Sequence, residues 1–303
     1  MREMPLKIGI AGTGRMGAAI AARLLGLGRE VAVWNRTADR TRPLAEAGAS
    51  VAASPAELAT SVDIVITILT DAAAIESVYA GAGGLLAGGL GGKLVIEMST
   101  VRPEAEEALA ARVRAKGGAM VDCPVGGSVG PAKEGKLFGF VGGDADDVAR
   151  ARPVLEQLCR RVEHVGPVGA GARMKLAINL PLLVYWEAFA EALALIAPLG
   201  LEPARVIDIL ADTSGGPNVL KTRGAALAAA MGGKPPASVS VDIETMRKDL
   251  RTMVEEAAAA GLTLPVTARA LDCYDAVAQA GEGGRDITAF ATRALSRSGY
   301  SRP

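Results

Sequence analysis

One lysine and one asparagine are placed where they could carry out acid–base chemistry. Lys175 and Asn179 lie in an apolar stretch rich in Ala and Leu, which follows two glycines and runs to about Leu199. This pattern predicts one long helix, on which residues four apart share a face. Burial against apolar neighbours favours the neutral amine of a lysine, which can then accept a proton near neutral pH. The alternative is a surface lysine beside an asparagine that caps or packs.

A second constellation is built from glycines near the start of the chain. A short apolar strand, 6–11, leads directly into Gly12-Thr-Gly-Arg-Met-Gly17, and a stretch of helical composition follows. Strand, GxGxxG and helix in this order form a dinucleotide-binding fingerprint. The first glycine permits a tight turn, the second lets the backbone approach a pyrophosphate, and the third allows close helix packing. Because the free N–H groups at the helix start would meet the phosphates, we predict cofactor contacts from the whole motif: Gly12, Thr13, Gly14, Arg15, Met16 and Gly17.

The end of the second strand indicates which dinucleotide binds. NAD sites usually carry an acidic residue there for the ribose 2′-hydroxyl. This chain instead has Asn35-Arg36-Thr37 after the strand 30–34, and we expect all three residues to contact the cofactor. A carboxylate would repel a 2′-phosphate, whereas the Arg36 guanidinium can pair with one through two hydrogen bonds. NADP is therefore the expected cofactor, with NAD still possible. The alternative is that Arg36 is a solvated turn residue.

The elements that must position these residues alternate in the first half of the chain. A helix is expected to start at Pro55 with Ser54 as its N-cap. Further strands are predicted at 63–69, 93–97 and 119–122, and further helices at 38–47, 72–79 and 103–116. Ligands of open parallel sheets bind beyond the carboxyl ends of the strands, so Leu69, Thr70 and Thr100 should line the cofactor crevice.

The second half of the chain is predicted to be helical throughout. After the long helix, helices are expected from residue 202 and at 218–231, 243–260, 265–280 and 286–296, with breaks at 214–217 and 232–236. We therefore predict a doubly wound α/β domain, residues 1–167, joined by the long helix to an all-helical domain, residues 168–303.

Composition limits the classes of function. Lys and Arg together number 33, as do Asp and Glu, so no net field attracts nucleic acid or an anionic membrane. The single histidine, His164, makes a zinc site improbable and is expected to be structural, so no metal is predicted. Three cysteines without CxxC spacing are typical of buried residues in a reducing cytosol. Glu187 and Glu191 disfavour a membrane span in the most apolar segment, and the N-terminus does not resemble a signal peptide. We expect a soluble cytoplasmic protein.

Five motifs in a fixed order make the chain resemble the β-hydroxyacid dehydrogenases. They are Gly12 to Gly17, Ser99-Thr100, Asp122 to Ser128, Gly169 to Asn179, and Lys248-Asp249. The family includes 3-hydroxyisobutyrate dehydrogenase and the glyoxylate/succinic semialdehyde reductases, and is related to 6-phosphogluconate dehydrogenase. The resemblance implies a Rossmann cofactor domain followed by a helical domain for substrate binding and dimerisation. It also implies NAD(P)-dependent interconversion of a small hydroxy acid and its semialdehyde or oxo acid by a homodimer or homotetramer.

The resemblance further implies a role for individual residues. Lys175 corresponds to the catalytic acid/base, and Asn179 to the residue that orients the substrate. The segment 122–128 corresponds to the one that holds the substrate carboxylate, here through Gly126, Gly127 and Ser128. Lys248 corresponds to the lysine that reaches the cofactor.

Two departures from the family pattern concern the substrate. The family loop usually reads Ser-Gly-Gly where this chain has Gly126-Gly127-Ser128, and a second asparagine of the helix is replaced by Leu180, followed by Pro181. An acid more apolar or bulkier than hydroxyisobutyrate is therefore expected. Two other readings stay open. Imine reductases are similar but usually carry Asp or Tyr in place of Lys175, and non-catalytic NADP-binding scaffolds of the family have lost that lysine.

Overall fold

The computed structural model describes residues 6–213, 216–234, 236 and 238–297. By their internal contacts the residues divide into two compact units, Met1–Ala177 and Ile178–Pro303. The division falls inside the long helix that the sequence predicts after Gly169. Each unit is described by itself below.

Nine strands of the described chain form one sheet in the first unit. They are β1 (Ile8–Ala11), β2 (Val31–Trp34), β3 (Ser50–Val51), β4 (Ile64–Thr67), β5 (Leu94–Glu97), β6 (Ala119–Asp122), β7 (Val125–Gly126), β8 (Leu137–Gly142) and β9 (Cys159–Gly166). The order is β3-β2-β1-β4-β5-β6-β8-β7, with β9 beside β8. Strands β1 to β6 pair in parallel, and β8 runs antiparallel to β6 and β7. The order 3-2-1-4-5-6 confirms the predicted doubly wound α/β domain.

Helices cover both faces of this sheet. They are α1 (Arg15–Gly26), α2 (Arg42–Glu46), α3 (Pro55–Ser61), α4 (Ala72–Ala80), α5 (Pro103–Ala115), α6 (Val129–Glu134) and α7 (Ala145–Leu158). Alternate residues of one strand enter separate apolar clusters: Ile8 and Ile10 of β1 join the cluster that contains α1 and α7, and Ala11 joins that of α3, α4 and α5. Strands buried on both sides in this way need continuous apolar sequences, which β1, β4 and β5 have.

The first unit differs from the sequence prediction mainly in its shortest elements. The expected helix 38–47 is a 3-10 turn, Ala38–Thr41, followed by the short α2, because Pro43 stands near the start of a new helix. The cap of α3 is confirmed, since Ser54 Oγ accepts the N–H of Glu57 at 3.1 Å. The two-residue strand β3 and the elements from β7 to α7 were not predicted, whereas the sequence at 162–166 indicates a strand end and forms the end of β9. Cys123 and Cys159 are buried as expected, whereas Cys273 of the second unit is partly exposed.

The regular secondary structure of the second unit is helical throughout its described residues, apart from an isolated bridge between Asp242 and Asp286. The helices are α8 (Ala170–Ile196), which begins in the first unit, α9 (Pro203–Ala211), α10 (Asn218–Met231), α11 (Ile243–Ala259), α12 (Pro265–Val277) and α13 (Ile287–Arg297). Gly261 ends α11 with a φ of +70°, as a glycine just after a helix commonly does. Residues 214, 215 and 235 of the predicted breaks lie outside the described residues. The predicted helical half is therefore confirmed for the described part.

Helix α8 is the most apolar element of the chain. With the turn that follows, Ala170–Leu199, it is long and apolar enough to cross a bilayer by length and composition alone, a criterion that core helices of soluble proteins also meet. Trp186 is fully buried, and Glu187 forms an ion pair with Arg293 of α13. The helix continues through Pro181. A buried aromatic side chain and a charge in an ion pair are features of a helix that packs against other parts of a protein.

Candidate cofactor and catalytic site

The glycine loop after β1 has the backbone that a bound pyrophosphate requires. Gly12 has a φ of +101°, and a Cβ there would lie 2.5 Å from the carbonyl oxygen of Ile68. A Cβ at Gly17 would lie 1.9 Å from the carbonyl oxygen of Gly12, so α1 could not pack this closely with another residue. A Cβ at Gly14 would meet nothing within 4 Å, which leaves open space before the N-terminus of α1. The loop therefore fits a dinucleotide phosphate group.

Asn35 follows β2 at the position where NAD enzymes carry an acid, and both polar atoms of its side-chain amide form hydrogen bonds. Its Oδ1 accepts the N–H of Thr13 at 3.0 Å, and its Nδ2 donates to the carbonyl oxygen of Thr37 at 2.9 Å. The Thr13 hydroxyl donates to the carbonyl oxygen of Arg40 at 3.3 Å. These bonds tie the glycine loop to the turn after β2. Arg36 lies in this turn with its side chain exposed.

Three buried polar residues form a row at the carboxyl ends of neighbouring strands. Thr67, Glu97 and Asp122 are the last residues of β4, β5 and β6, each is 0% exposed, and the register pairs each with the next. The Thr67 hydroxyl donates to Glu97 Oε1 at 3.2 Å and lies 2.8 Å from the Tyr79 hydroxyl. The row lies at the sheet edge where open α/β sheets bind their ligands.

Glu97 connects this row to the loops after β4 and β5 through Ser99. The Ser99 N–H donates to Glu97 Oε2 at 2.8 Å, and the Ser99 hydroxyl donates to Glu97 Oε1. The same hydroxyl accepts the N–H of Leu69 at 2.8 Å. The two loops that contain the predicted crevice residues Leu69, Thr70 and Thr100 are therefore tied together by one buried carboxylate.

Asp122, the next acid in the row, fixes the start of α8. Its Oδ1 accepts the N–H of Gly169 at 2.8 Å, and its Oδ2 accepts the N–H of Ala172 at 2.8 Å. A Cβ at Gly171 would lie 2.8 Å from Oδ2, so the close approach requires a glycine there. A carboxylate at a helix N-terminus satisfies free N–H groups and is favoured by the helix dipole. Burial raises the pKa of Asp122 to about 6, although the two N–H bonds oppose this rise.

Lys175 lies in the second turn of α8 and is half-buried. It belongs to the first unit, whereas Asn179, one helical turn later, belongs to the second. Because Asp122 holds the first turn of α8, the backbone that leads to Lys175 is anchored to the carboxyl end of β6.

The predicted substrate loop follows β6 and ends at α6. Gly126 is the last residue of β7 and pairs with Phe138 of β8. Gly127 has a φ of +122°, and a Cβ there would lie 2.9 Å from a methyl carbon of Leu137, so this position requires glycine. Ser128 precedes α6, but its side chain makes no capping hydrogen bond. Its hydroxyl is therefore not used to stabilise the helix.

In the second unit, one carboxylate brings together Asn179 and Lys248. Asn179 Nδ2 donates to Asp249 Oδ2 at 3.3 Å, and Lys248 Nζ lies 2.7 Å from Asp249 Oδ1 in an ion pair. Asn179 and Asp249 are buried, and the Lys248 side chain is 28% exposed. Asp249 thus restrains two residues that the sequence singles out separately.

Sequence reasoning did not assign a separate role to Glu97 or Asp122. The available signal was an acid that ends an otherwise apolar strand, since such a side chain cannot reach solvent from the middle of a parallel sheet. His164 has the structural role expected of it. Its Nε2 lies 2.9 Å from the carbonyl oxygen of Gly143 and 3.0 Å from that of Gly166, within β9 and the turn beside it.

Comparison with known proteins identifies both halves of the chain. Residues 7–166 match the NAD-binding domain of 6-phosphogluconate dehydrogenase, and residues 169–294 match the NAD-binding domain of NADP-dependent 3-hydroxyisobutyrate dehydrogenase. A 3-hydroxyisobutyrate dehydrogenase of Pseudomonas aeruginosa is 35% identical, over 90% of this chain and 92% of that protein. Glyoxylate/succinic semialdehyde reductase 1 of Arabidopsis thaliana is 34% identical, over 94% of this chain and 96% of that protein.

A solved structure agrees with these sequence matches. The 3-hydroxyisobutyrate dehydrogenase of Mycobacterium tuberculosis, determined with L-serine, superposes with a TM-score of 0.83 at 29% identity and covers 96% of this chain and 99% of its own. The glycine loop, the strand order and these matches agree on an enzyme that binds NAD or NADP and acts on hydroxy acids. The chain belongs to the β-hydroxyacid dehydrogenase family.

Proposed function

We propose that the enzyme prefers NADP(H) and interconverts a β-hydroxy acid and its semialdehyde or oxo acid, with Lys175 as the general acid/base. The observation that supports this most is the anchoring of α8 by Asp122. It fixes the first turn of the helix at the carboxyl end of β6, and Lys175 follows in the next turn. A catalytic amine must be held in position to transfer a proton efficiently.

The chain's own residues have separate tasks in this proposal. In the oxidative direction the neutral amine of Lys175 takes the proton of the substrate hydroxyl, and in reduction the ammonium returns it to the carbonyl oxygen. The bound nicotinamide accepts or supplies the hydride at the carbinol carbon. Asn179, held by Asp249, orients the substrate and is too weakly acidic to donate the proton itself. Gly126, Gly127 and Ser128 hold the carboxylate, and the Ser128 hydroxyl has no capping bond to give up.

The role of Lys175 is tested by Lys175→Ala. We expect turnover to fall by at least about a hundredfold, the usual contribution of a positioned acid/base, while the Kd for NADPH stays unchanged. Lys116→Ala, at an exposed position just after α5, is the matched control and should leave both quantities unchanged. Wild-type kcat in the Lys175 variant would remove the lysine from the mechanism.

The NADP preference is supported by the turn after β2. No carboxylate stands at 35, because Asn35 fills the position with an amide that bonds Thr13 and Thr37. The exposed Arg36 guanidinium is then available to a 2′-phosphate without a neighbouring acid at the strand end. Lys248 reaches the cofactor in the same proposal.

Titration calorimetry with both cofactors tests this preference. Arg36→Ala should weaken NADPH binding by about tenfold or more, since a charge-assisted bond contributes about 1.5–3 kcal/mol, and should leave NADH binding nearly unchanged. Arg269→Ala, whose side chain is 79% exposed in the second unit, is the control for loss of a positive charge. Equal weakening for both cofactors would show that Arg36 does not recognise the phosphate.

The substrate class is open to a direct screen. Absorbance at the reduced nicotinamide band should report turnover with semialdehydes, glyoxylate and β-hydroxy acids. Larger apolar acids should outperform hydroxyisobutyrate because the partly exposed Leu180 and Leu182 follow Asn179, whereas Leu183 is buried in the core. Cyclic imines belong in the same panel. Turnover of imines alone would replace the proposed activity with imine reduction, and cofactor binding without any turnover would indicate a scaffold protein.

A further inference from the structure

The buried acid Glu106 has no part in the contacts described so far. It lies on α5, is 0% exposed, and has no hydrogen-bond donor at either carboxyl oxygen among the described residues. An ionised carboxylate in such a position would be strongly unfavourable without a donor or a counter-charge. Glu106 therefore needs a proton or a partner.

Its partner is Glu97, the acid that holds Ser99. The two carboxyl groups are within hydrogen-bonding reach of each other. Two carboxylates can only accept, so a bond between them forms only when one of them is protonated. Glu97 already accepts the N–H and hydroxyl of Ser99 and the hydroxyl of Thr67. A carboxyl group that accepts three hydrogen bonds is stabilised in its ionised form, so the proton of the pair belongs to Glu106.

The charges around the pair act in the same direction. Asp122, at the end of β6, acts on Glu106 as a second negative charge, and Tyr79 of α4 and Cys123 beside Asp122 are acids whose pKa values burial and the charge of Glu97 raise, so none of the three supplies a positive charge. Burial is the largest cause that holds the pKa of Glu106 well above its usual range, and the charges of Glu97 and Asp122 add to it. Burial also raises the pKa of Glu97, while the bonds from Glu106 and Ser99 oppose that rise.

We propose that Glu97 and Glu106 share one proton, with Glu106 as donor and Glu97 as acceptor, and that this pair positions the cofactor crevice. Glu106 holds Glu97, Glu97 holds Ser99, and the Ser99 hydroxyl holds the N–H of Leu69. Glu106 is thus a positioning residue that acts on the cofactor through two other side chains. The proposal rests on the dinucleotide-binding domain and is independent of the substrate and of the role of Lys175.

Substitution of each glutamate by glutamine distinguishes the donor of the pair from the acceptor. Glu106→Leu removes the donor to Glu97 and should weaken NADPH binding at pH 7, whereas Glu106→Gln, in which the amide N–H replaces the carboxyl O–H as donor, should restore most of the loss. In Glu97→Gln an amide NH₂ faces the donors of Ser99, so NADPH binding should weaken by about tenfold or more. Glu107→Gln, at the exposed position next to Glu106, is the matched control and should have no effect. Equal losses in Glu106→Gln and Glu97→Gln would overturn the assignment of donor and acceptor.

Infrared difference spectroscopy locates the proton without cofactor or activity. At pH 8, where Asp122 is ionised, the wild type should show the C=O stretch of a neutral carboxylic acid, and Glu106→Gln should lose it. The Glu107→Gln control should retain the band. A wild-type spectrum without that band, or one in which Glu106→Gln keeps it, would overturn the shared proton.

Thermal unfolding of the cofactor-free protein gives a second, independent readout. Because the folded state holds the Glu106 proton more tightly than the unfolded chain does, wild-type stability should fall as the pH rises through the raised pKa of Glu106. Glu106→Gln has no proton to lose there and should not show this loss. Parallel curves for the two proteins would contradict the proposal.

Discussion

The ends of β5 and β6 offer the same structural position to two acids and use it in different ways. Glu97 and Asp122 are neighbours in register, end apolar strands and are fully buried. Asp122 binds two backbone N–H groups and thereby anchors α8. Glu97 binds a serine and a threonine, and in our proposal it shares a proton with Glu106; through Ser99 it ties two loops of the predicted cofactor crevice.

The difference separates two functions along one sheet edge. The β6 end controls the helix on which the proposed acid/base lies, whereas the β5 end controls the loops that are predicted to face the dinucleotide. A perturbation of Asp122 should therefore affect catalysis, and a perturbation around Glu97 should affect cofactor binding. Three experiments test this separation.

Removal of the Asp122 carboxylate should have the largest effect. Asp122→Ala leaves the N–H groups of Gly169 and Ala172 buried without an acceptor, at about 1–3 kcal/mol for each. We expect the melting temperature and kcat to fall together while the Kd for NADPH stays close to wild type. Ser54→Ala removes the cap of α3 in the same unit and is the control, with a cost of about 1 kcal/mol and an unchanged kcat. If Asp122→Ala weakens cofactor binding as much as it slows turnover, the two strand ends do not act separately.

The pH dependence of stability should distinguish the two acids next. The pKa of Asp122 is about 6 in the fold, above its ordinary value of 3.8. The folded state therefore binds this proton more tightly, and the free energy of unfolding should decrease as the pH rises from about 4 to 7, by about 3 kcal/mol at most. Denaturant titrations of wild type and Asp122→Asn across this range should differ in slope. An identical slope would mean that Asp122 does not titrate there, and the loss assigned to Glu106 should remain in both proteins.

Loss of the Ser99 hydroxyl should have the smallest effect. Ser99→Ala removes one donor to Glu97 and the acceptor of the Leu69 N–H. A net cost of about 0.5–1.5 kcal/mol predicts that NADPH binding weakens by about threefold to tenfold, with kcat at saturating cofactor unchanged. Calorimetry and steady-state kinetics on the same preparation check both parts. A fall in kcat without a change in Kd would assign Ser99 to the chemistry instead.

Much of the fold could be predicted because its signals are local. The apolar strands, the GxGxxG loop and the proline and serine at the start of α3 each specify an element from a few neighbouring residues. The strand β3 was not predicted because its two exposed residues, Ser50 and Val51, show no periodicity. The 3-10 turn before α2 was not predicted because the composition of 38–47 is helical throughout, and only Pro43 indicates the start of a new helix.

The site was less predictable because its supporting contacts are distant in sequence. Asp122 meets the first turn of α8 about 50 positions later, and Asn179 meets Asp249 70 positions later. No pattern within either segment specifies these partners. The glycines at 12, 14 and 17 could be predicted as a phosphate-binding loop because their spacing is a local pattern, and the close contact between Gly17 and Gly12 lies within that pattern.

If the proposed NADP(H) preference holds, the amide of Asn35 links cofactor choice to the order of the glycine loop. An exchange to aspartate, the obvious route to an NAD enzyme, would keep an acceptor for Thr13 but lose the donor to Thr37 and bring a negative charge beside Arg36. Specificity and loop geometry therefore cannot be altered independently at this position. An evolving or engineered NAD enzyme built on this chain would need a second change, in the turn 36–40, to restore the bond that the amide now supplies.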